Sequence, residues 1–102
     1  MSYHEIKDLK ITPNVVRDFF QIFPKSADFT IDVFQEHHVC GLDILVHNRG
    51  AASLTCTIDK QVKTVDAGDT FTWDNVKYAL VEIVATDNYD LVIAGVRLAG
   101  RV

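Results

Sequence analysis

The sequence lacks a long apolar run and a signal peptide, and it has few cysteines, so it differs from membrane-bound and from disulfide-stabilised secreted chains. It contains two cysteines, two prolines and one tryptophan in 102 residues. No apolar run approaches the roughly 20 residues that span a bilayer, and the first residues, MSYHEIKDLKI, lack the apolar centre of a signal peptide. We therefore expect neither a membrane partner nor secretion, and we expect Cys40 and Cys56 to be reduced thiols packed as small apolar residues.

A surplus of basic residues is also missing. The chain has 10 Lys and Arg against 14 Asp and Glu, so its formal net charge is −4. Phosphate binding needs Lys and Arg concentrated on some face, and nucleic acid is therefore not an expected partner. The apolar content of 48% is that of an ordinary globular chain, and the length suits one domain.

Residues 27–102 show the alternation of half-buried β-strands. In SLTCTID, Leu54, Cys56 and Ile58 alternate with polar residues. Turn residues recur roughly every 8–12 residues, which is typical of an antiparallel sandwich or barrel: NRG, Asp59-Lys60, DAGD, the DN pair at 74–75 and TDNY. We therefore predict an all-β fold for residues 27–102, an antiparallel β-sandwich of jelly-roll type. The runs VKYALVEIVA and YDLVIAGVRL are apolar on both faces, which predicts strands covered on both sides.

Residues 1–26 are predicted to form a separate N-terminal segment. Residues 1–11 alternate charges with isolated apolar residues, which indicates an arm that becomes ordered against a partner. Around residues 13–22, Thr12 and Pro13 suit the start of a short helix, and Val15, Phe19 and Phe23 recur at its spacing. Val-Val and Phe-Phe also suit a strand, so the helix is favoured only at its start.

The residues that could bind a metal, a sugar or a substrate are better explained by roles in turns and in core packing. His37 and His38 are adjacent and would face opposite sides of a strand, which leaves His37, Cys40 and His47 as the best metal set. Gly50, Gly68 and the aspartates between Asp59 and Asp90 lie in predicted turns, which these residue types favour without any ligand. Trp73, Tyr78 and Tyr89 could stack on sugars, but their alternation favours core packing. We predict no catalytic residue, no metal site and no cofactor.

The block from Leu45 to Val96 resembles small β-sandwich virion proteins of tailed bacteriophages. The similarity lies in the order of an Asn-rich turn, a Thr/Val strand, the return VDAGDTFTWDNV and the closing strand YDLVIAGV. It implies a structural role in capsid decoration or in the tail, and it carries no functional residue with it. VDAGDTFTW is also similar to the glycine-turn piece of cupin sheets, although the cupin metal-binding histidines and glutamate are absent around Gly68.

These observations together predict a non-enzymatic virion protein that decorates or cements a capsid. Its expected partners are the major capsid protein or other virion proteins, and further copies of itself in a homo-oligomer. Two alternatives stay open: a glycan-binding module of a tail or host-adhesion apparatus, and a small cupin-like metal-binding protein. The predicted contact residues lie in the arm and in the segment after it: Tyr3, Ile6, Leu9, Ile11, Phe19, Phe20 and Phe23.

Overall fold

The computed structural model of this chain describes residues 16–97. These residues form eight strands and one five-residue helix. The strands are β1 (Phe19–Lys25), β2 (Phe29–Asp32), β3 (Val39–Asn48), β4 (Leu54–Ile58), β5 (Gln61–Val65), β6 (Thr70–Trp73), β7 (Leu80–Val84) and β8 (Tyr89–Arg97), and the helix, α1, is Val33–His37. They build two four-stranded antiparallel sheets, ordered β1-β8-β3-β6 and β2-β7-β4-β5.

The strand order is that of a jelly roll, because the chain pairs with itself as one long nested hairpin. The hairpin β4–β5 lies at its tip, followed outward by the pairs β3–β6, β2–β7 and β1–β8. The pairs alternate between the two sheets, and β8–β3 and β7–β4 contacts join them within each sheet. This arrangement confirms the predicted all-β, jelly-roll-like sandwich.

The core lies between the two sheets, and every second residue along the strands points into it. β4 shows the pattern, with Leu54, Cys56 and Ile58 buried while Thr55 and Thr57 are half-buried on the other side. β8 contributes Tyr89, Leu91 and Ile93, none of which has any exposed area. Both sheets therefore turn their apolar faces to each other, which removes those faces from water.

The prediction for residues 13–22 needs a correction in its described part. Residues 16–18 have no regular structure and β1 begins at Phe19, so the helix is absent from residues 16–22, whereas residues 13–15 lie outside the described range. Seven residues of β1 pair with β8, and this ladder satisfies the backbone of an aromatic, strand-forming segment. Pro24 lies inside β1, which is an edge strand and can therefore accommodate proline.

A helix occurs instead at Val33–His37, directly after β2. Asp32 caps it, because its carboxylate accepts a hydrogen bond from the Gln35 amide at 2.9 Å. His38 ends it in a left-handed conformation with a φ of 54°. No helix among the described residues is long and apolar enough to cross a membrane.

The centre of the first sheet contains a β-bulge that two glycines permit. The register between β3 and β8 shifts between Gly41 and Asp43. A Cβ at Gly95, on the facing strand, would lie 2.3 Å from the Cys40 carbonyl oxygen. The backbones of β3 and β8 therefore approach each other closely at Gly95, whereas β5 pairs with β4 without any shift of register.

Asn48 connects two segments of the chain at one end of the sandwich. Its side-chain amide donates to the carbonyl oxygens of Ala52 at 2.8 Å and Val65 at 3.0 Å, and its carbonyl oxygen accepts from the Gly50 amide at 2.9 Å. The residue is 1% exposed, so water cannot replace these bonds. Asn48 thus ties the loop after β3 to the end of β5.

Asn48→Ala is expected to lower the free energy of unfolding by about 3 kcal/mol, because it leaves buried backbone groups without partners. Asn88→Ala, at an exposed position of the β7–β8 turn, is the control and should change the stability by less than about 0.5 kcal/mol. Urea denaturation followed by circular dichroism measures both. Equal effects of the two substitutions would contradict the role assigned to Asn48.

Candidate interaction surface

The outer face of the β1-β8-β3-β6 sheet is unusual because it carries apolar side chains where an outer face is ordinarily polar. Phe20 and Ile22 of β1 are 67% and 52% exposed. The paired positions continue the apolar strip inward, since Phe20 lies opposite Ala94, and Val92 lies opposite both Ile22 and Leu45. We call this surface the front face and define it by Phe20, Ile22, Leu45, Val92 and Ala94.

A shallow depression of about 230 Å³ lies on the front face. Phe20, Leu45, Val92 and Ala94 form its apolar part, with Ile44 below. Asp43, Thr72 and Asp74 contribute polar groups at the side of β3 and β6. The depression therefore combines an apolar floor with an acidic border, a composition suited to protein contact.

Two ion pairs border the front face. The Arg17 Nε lies 2.5 Å from a carboxylate oxygen of Asp43, and the Arg17 guanidinium also donates to the Asn75 side chain. At the other end, the Arg49 Nε lies 2.9 Å from a carboxylate oxygen of Asp90. All four charged groups are partly exposed, so the pairs add little stability, but they fix charges on either side of an apolar strip.

The opposite outer face, on the β2-β7-β4-β5 sheet, is mainly polar. It presents four threonines and a glutamate: Thr30, Thr55, Thr57, Thr64 and Glu82. Val62 and Val84 are exposed there by 63% and 60%. The register separates them, because Val62 lies opposite Thr57 and Val84 lies opposite Thr55. These two valines are isolated on a polar surface, whereas the front face is a continuous apolar strip.

The predicted contact residues are divided between the core, the front face and the part of the chain outside the description. Phe19 is 5% exposed and belongs to the core, because its position in β1 points between the sheets; its prediction as a surface contact is corrected accordingly. Phe23 also faces the core and lies 5.4 Å from the Phe29 ring, measured between centroids. Phe20 lies on the front face and stays a predicted contact. The arm residues lie outside the described range: Tyr3, Ile6, Leu9 and Ile11.

Each histidine among residues 16–97 packs against an aromatic ring or forms a hydrogen bond to a neighbouring side chain. The His37 ring lies 5.1 Å from the Phe19 ring, and the His38 ring packs edge-on against Phe34. His47 bonds the Thr70 hydroxyl through Nδ1 at 2.8 Å. Among residues 16–97, no three His, Cys, Asp or Glu side chains are grouped so that they could hold a metal ion. The candidate set of His37, Cys40 and His47 is therefore not brought together.

The aromatic residues proposed for sugar stacking lie mainly in the core. Tyr78 and Tyr89 are buried, and each hydroxyl donates to a backbone carbonyl oxygen at 2.6 Å, that of Asp43 and that of Ala27 respectively. Trp73 is partly buried, packs edge-on against Phe71 and has the Lys63 ammonium 4.8 Å above its ring. The core packing favoured by the sequence is thus confirmed for both tyrosines.

The two cysteines are free thiols buried in apolar surroundings. Burial raises the pKa of Cys40 from 9.0 to about 11 and that of Cys56 to about 12. Burial, with a smaller contribution from Asp28, also raises the pKa of Tyr89 from 10.0 to about 12. A thiol with a raised pKa is a weak nucleophile at neutral pH, so the two cysteines are core residues of low reactivity.

Comparison with known proteins identifies no family. No protein-family model matches the chain, and no curated protein matches it. Among solved structures, the chain is similar to a cupin-2 domain containing protein from Shewanella frigidimarina, with a TM-score of 0.43 and 14% identity over 89% of this chain and 85% of that chain. It is also similar to a cupin protein from Bacteroides fragilis, with a TM-score of 0.37 and 15% identity over 81% of this chain and 66% of that chain. Scores this low add nothing to what the chain's own residues indicate.

The raised pKa values predict that alkaline pH destabilises the fold. Below about pH 9 the thiols are protonated in both states, and their contribution to stability is complete. As the pH rises toward 11, the unfolded chain loses these protons while the folded chain keeps them, so the free energy of unfolding falls. Urea denaturation at several pH values measures this, and the double substitution Cys40→Ala, Cys56→Ala should reduce the slope between pH 9 and 10. A stability that rises over this range would contradict the assignment.

Proposed function

We propose that this protein is a non-catalytic binding protein that attaches to another protein through its front face. The observation that carries the proposal is the exposed apolar strip led by Phe20 and Ile22, which are 67% and 52% exposed. Scattered apolar residues on a surface are ordinary, but a contiguous strip on one sheet face is typical of a contact surface. Covering it with a partner removes it from water, and this is the driving force for attachment.

The charges around the front face support the same proposal. Asp43 and Asp74 border the depression on one side, and the Arg49–Asp90 pair lies at the far end of the strip. Fixed charges at the border of an apolar contact contribute more to orientation and selectivity than to affinity. A partner with a basic group placed to meet Asp74 and an apolar side chain for the depression would fit this surface.

The specific role that we propose is decoration or cementing of a phage capsid, because that is the role implied by the resemblance of Leu45 to Val96. A decoration protein acts by mass action, since it binds only the assembled shell and so favours that state. The front face supplies one part of the contact, and the N-terminal arm, with Tyr3, Ile6, Leu9 and Ile11, supplies further apolar area across the joint between subunits. The partner is then the major capsid protein, and the location is the virion.

The virion role predicts a fixed copy number in purified particles. Quantitative mass spectrometry of tailed-phage particles from the source strain should detect this chain in a constant ratio to the major capsid protein across independent preparations. The control is the same strain without induction of the phage, processed identically. Absence of the chain from the particles, or a ratio that varies between preparations, would contradict the virion role.

The contact surface is tested by matched substitutions on the two outer faces. Leu45→Gln places an amide on the floor of the depression and should weaken attachment to the particle by about tenfold, because the amide must be desolvated. Val84→Gln makes a comparable change on the opposite face, where the valine is 60% exposed, and should leave attachment unchanged. Co-sedimentation with particles measures both variants, with unfolding curves to show that each remains folded. Equal loss in both would contradict the assignment of the front face.

Deletion of residues 1–11 tests the arm independently of the front face. It should reduce occupancy of the particle because apolar contact area is lost, while the stability of the sandwich stays the same. Co-sedimentation measures the occupancy. Unchanged occupancy would count against a role for the arm.

A further inference from the structure

The described chain begins at the border of the depression on the front face. Arg17 places its Nε 2.5 Å from a carboxylate oxygen of Asp43, and its guanidinium also donates to the Asn75 side chain. Asp43 lies in β3 and Asn75 follows β6, so the Arg17 side chain reaches past β8 to the third and fourth strands of the sheet. The chain just before β1 therefore lies over the outer side of the sheet, beside the depression that Asp43 lines.

The exposure of Val16 indicates which neighbouring side chain faces the sheet. The Asp18 carboxylate accepts a hydrogen bond from the Arg97 amide at 2.8 Å, which holds the chain at the end of β8. Val16 is 77% exposed, so its side chain points to water. Successive side chains of an extended segment point to opposite sides. The side chain of Val15 is therefore the one directed toward the sheet.

Residues 12–15 have the composition and the length to cover the depression. Their sequence, TPNV, contains no charged residue. A residue before proline and a β-branched valine both favour extended backbone. In that conformation Pro13 and Val15 share one side and lie about 7 Å apart, the same distance that separates Asp43 from Leu45 along β3. Four extended residues span up to about 13 Å, so the segment reaches along the whole depression.

We propose that residues 12–15 of this chain cover the depression on the front face, with Val15 over the end at Ala94 and Pro13 over the end at Val92. The floor of the depression is half-buried in the described residues, so part of its apolar area still faces water. The segment removes that area from water, and this burial is the driving force for the contact.

The covalent connection to β1 makes this segment the favoured occupant. A short tether gives an effective concentration on the order of millimolar, so a contact of modest affinity is populated without any other chain. The same segment of a second copy lacks that tether. Arg17 also supplies the counter-charge to Asp43, so the uncharged segment meets a paired carboxylate at this end of the depression.

The cover has a consequence that rests on the proposed function. A partner that attaches through the front face must displace residues 12–15 from the depression, so the segment competes with attachment. Deletion of residues 1–11 leaves this segment in place. The cover itself is a property of the purified chain alone, so a chain that binds no particle would overturn the proposed function without affecting the cover.

Disulfide trapping in the full chain tests the cover. At low micromolar concentration, the oxidised variant Val15→Cys, Ala94→Cys should form a disulfide within one chain at least about tenfold faster than Val15→Cys, Val84→Cys, because only the first pair lies within reach of a disulfide. Val84 is the control position because it is 60% exposed on the opposite outer face. The native Cys40 and Cys56 are buried and stay in both variants. Peptide mapping by mass spectrometry identifies the linked pair.

Two adjacent valines provide a second, matched test. The thiol of Ala94→Cys serves as the reporter, because the cover slows its reaction with a maleimide. Adding Val15→Asp should accelerate the reaction by about tenfold, since a carboxylate placed against the apolar floor must lose its hydration. Adding Val16→Asp introduces the same charge at a 77% exposed position and should leave the rate unchanged.

Circular dichroism shows whether all these variants remain folded. Equal maleimide reaction rates in the two aspartate variants would overturn the proposal. So would a disulfide to Val84→Cys that forms as fast as the one to Ala94→Cys, or a disulfide that joins two chains instead of forming within one.

Discussion

The structure depends on the position of β8 between β1 and β3. β8 pairs with seven residues of β1 on one side and runs along β3 on the other, so every second side chain enters the core while the alternate ones form the centre of the front face. Tyr89, Leu91 and Ile93 are completely buried, whereas Val92 and Ala94 are half-buried on the outside. β8 thus contributes both to the core that stabilises the sandwich and to the apolar outer surface. The same pairing holds β1 at the edge, with Phe20 and Ile22 facing outward.

The jelly-roll order explains why the apolar surface lies at one edge of one sheet. The chain folds as a nested hairpin, so the strand that begins the described fold pairs with the strand that ends it. The β4–β5 tip is closed by the two-residue turn of Asp59 and Lys60, both with positive φ, and lies in the polar sheet. The outermost pair of the nested hairpin, β1 with β8, carries the exposed aromatic and aliphatic residues. The contiguous apolar part of the surface of residues 16–97 therefore lies on the β1 side.

Much of the fold could be predicted from the sequence because alternation and turn residues are local signals. The strand around Leu54 to Ile58, the Asp59-Lys60 turn and the apolar strand β8 followed directly from such patterns, but the expected cover on both sides of β8 did not, because only one of its faces is fully buried. Phe19 to Phe23 could not be assigned by the same means, because its residues suit helix and strand equally and only the ladder with β8 decides between them. The helix after Asp32 was signalled by an aspartate three residues before the Gln35 amide that it caps, but Phe29, Ile31 and Val33 alternated as a strand would. The front face could not be predicted from the sequence, because only the register of β3 and β8 shows that Leu45 and Val92 lie side by side.

We propose that this protein binds its partner through the outer surface of the β1-β8-β3-β6 sheet. Hydrogen–deuterium exchange with mass spectrometry, comparing the free chain with the chain incubated with purified phage particles, tests this proposal. We expect slower exchange on binding in β1 and along the β3–β6 border, with β2 and β5 of the opposite sheet unchanged. Slower exchange confined to β2 and β5, with β1 unaffected, would contradict it.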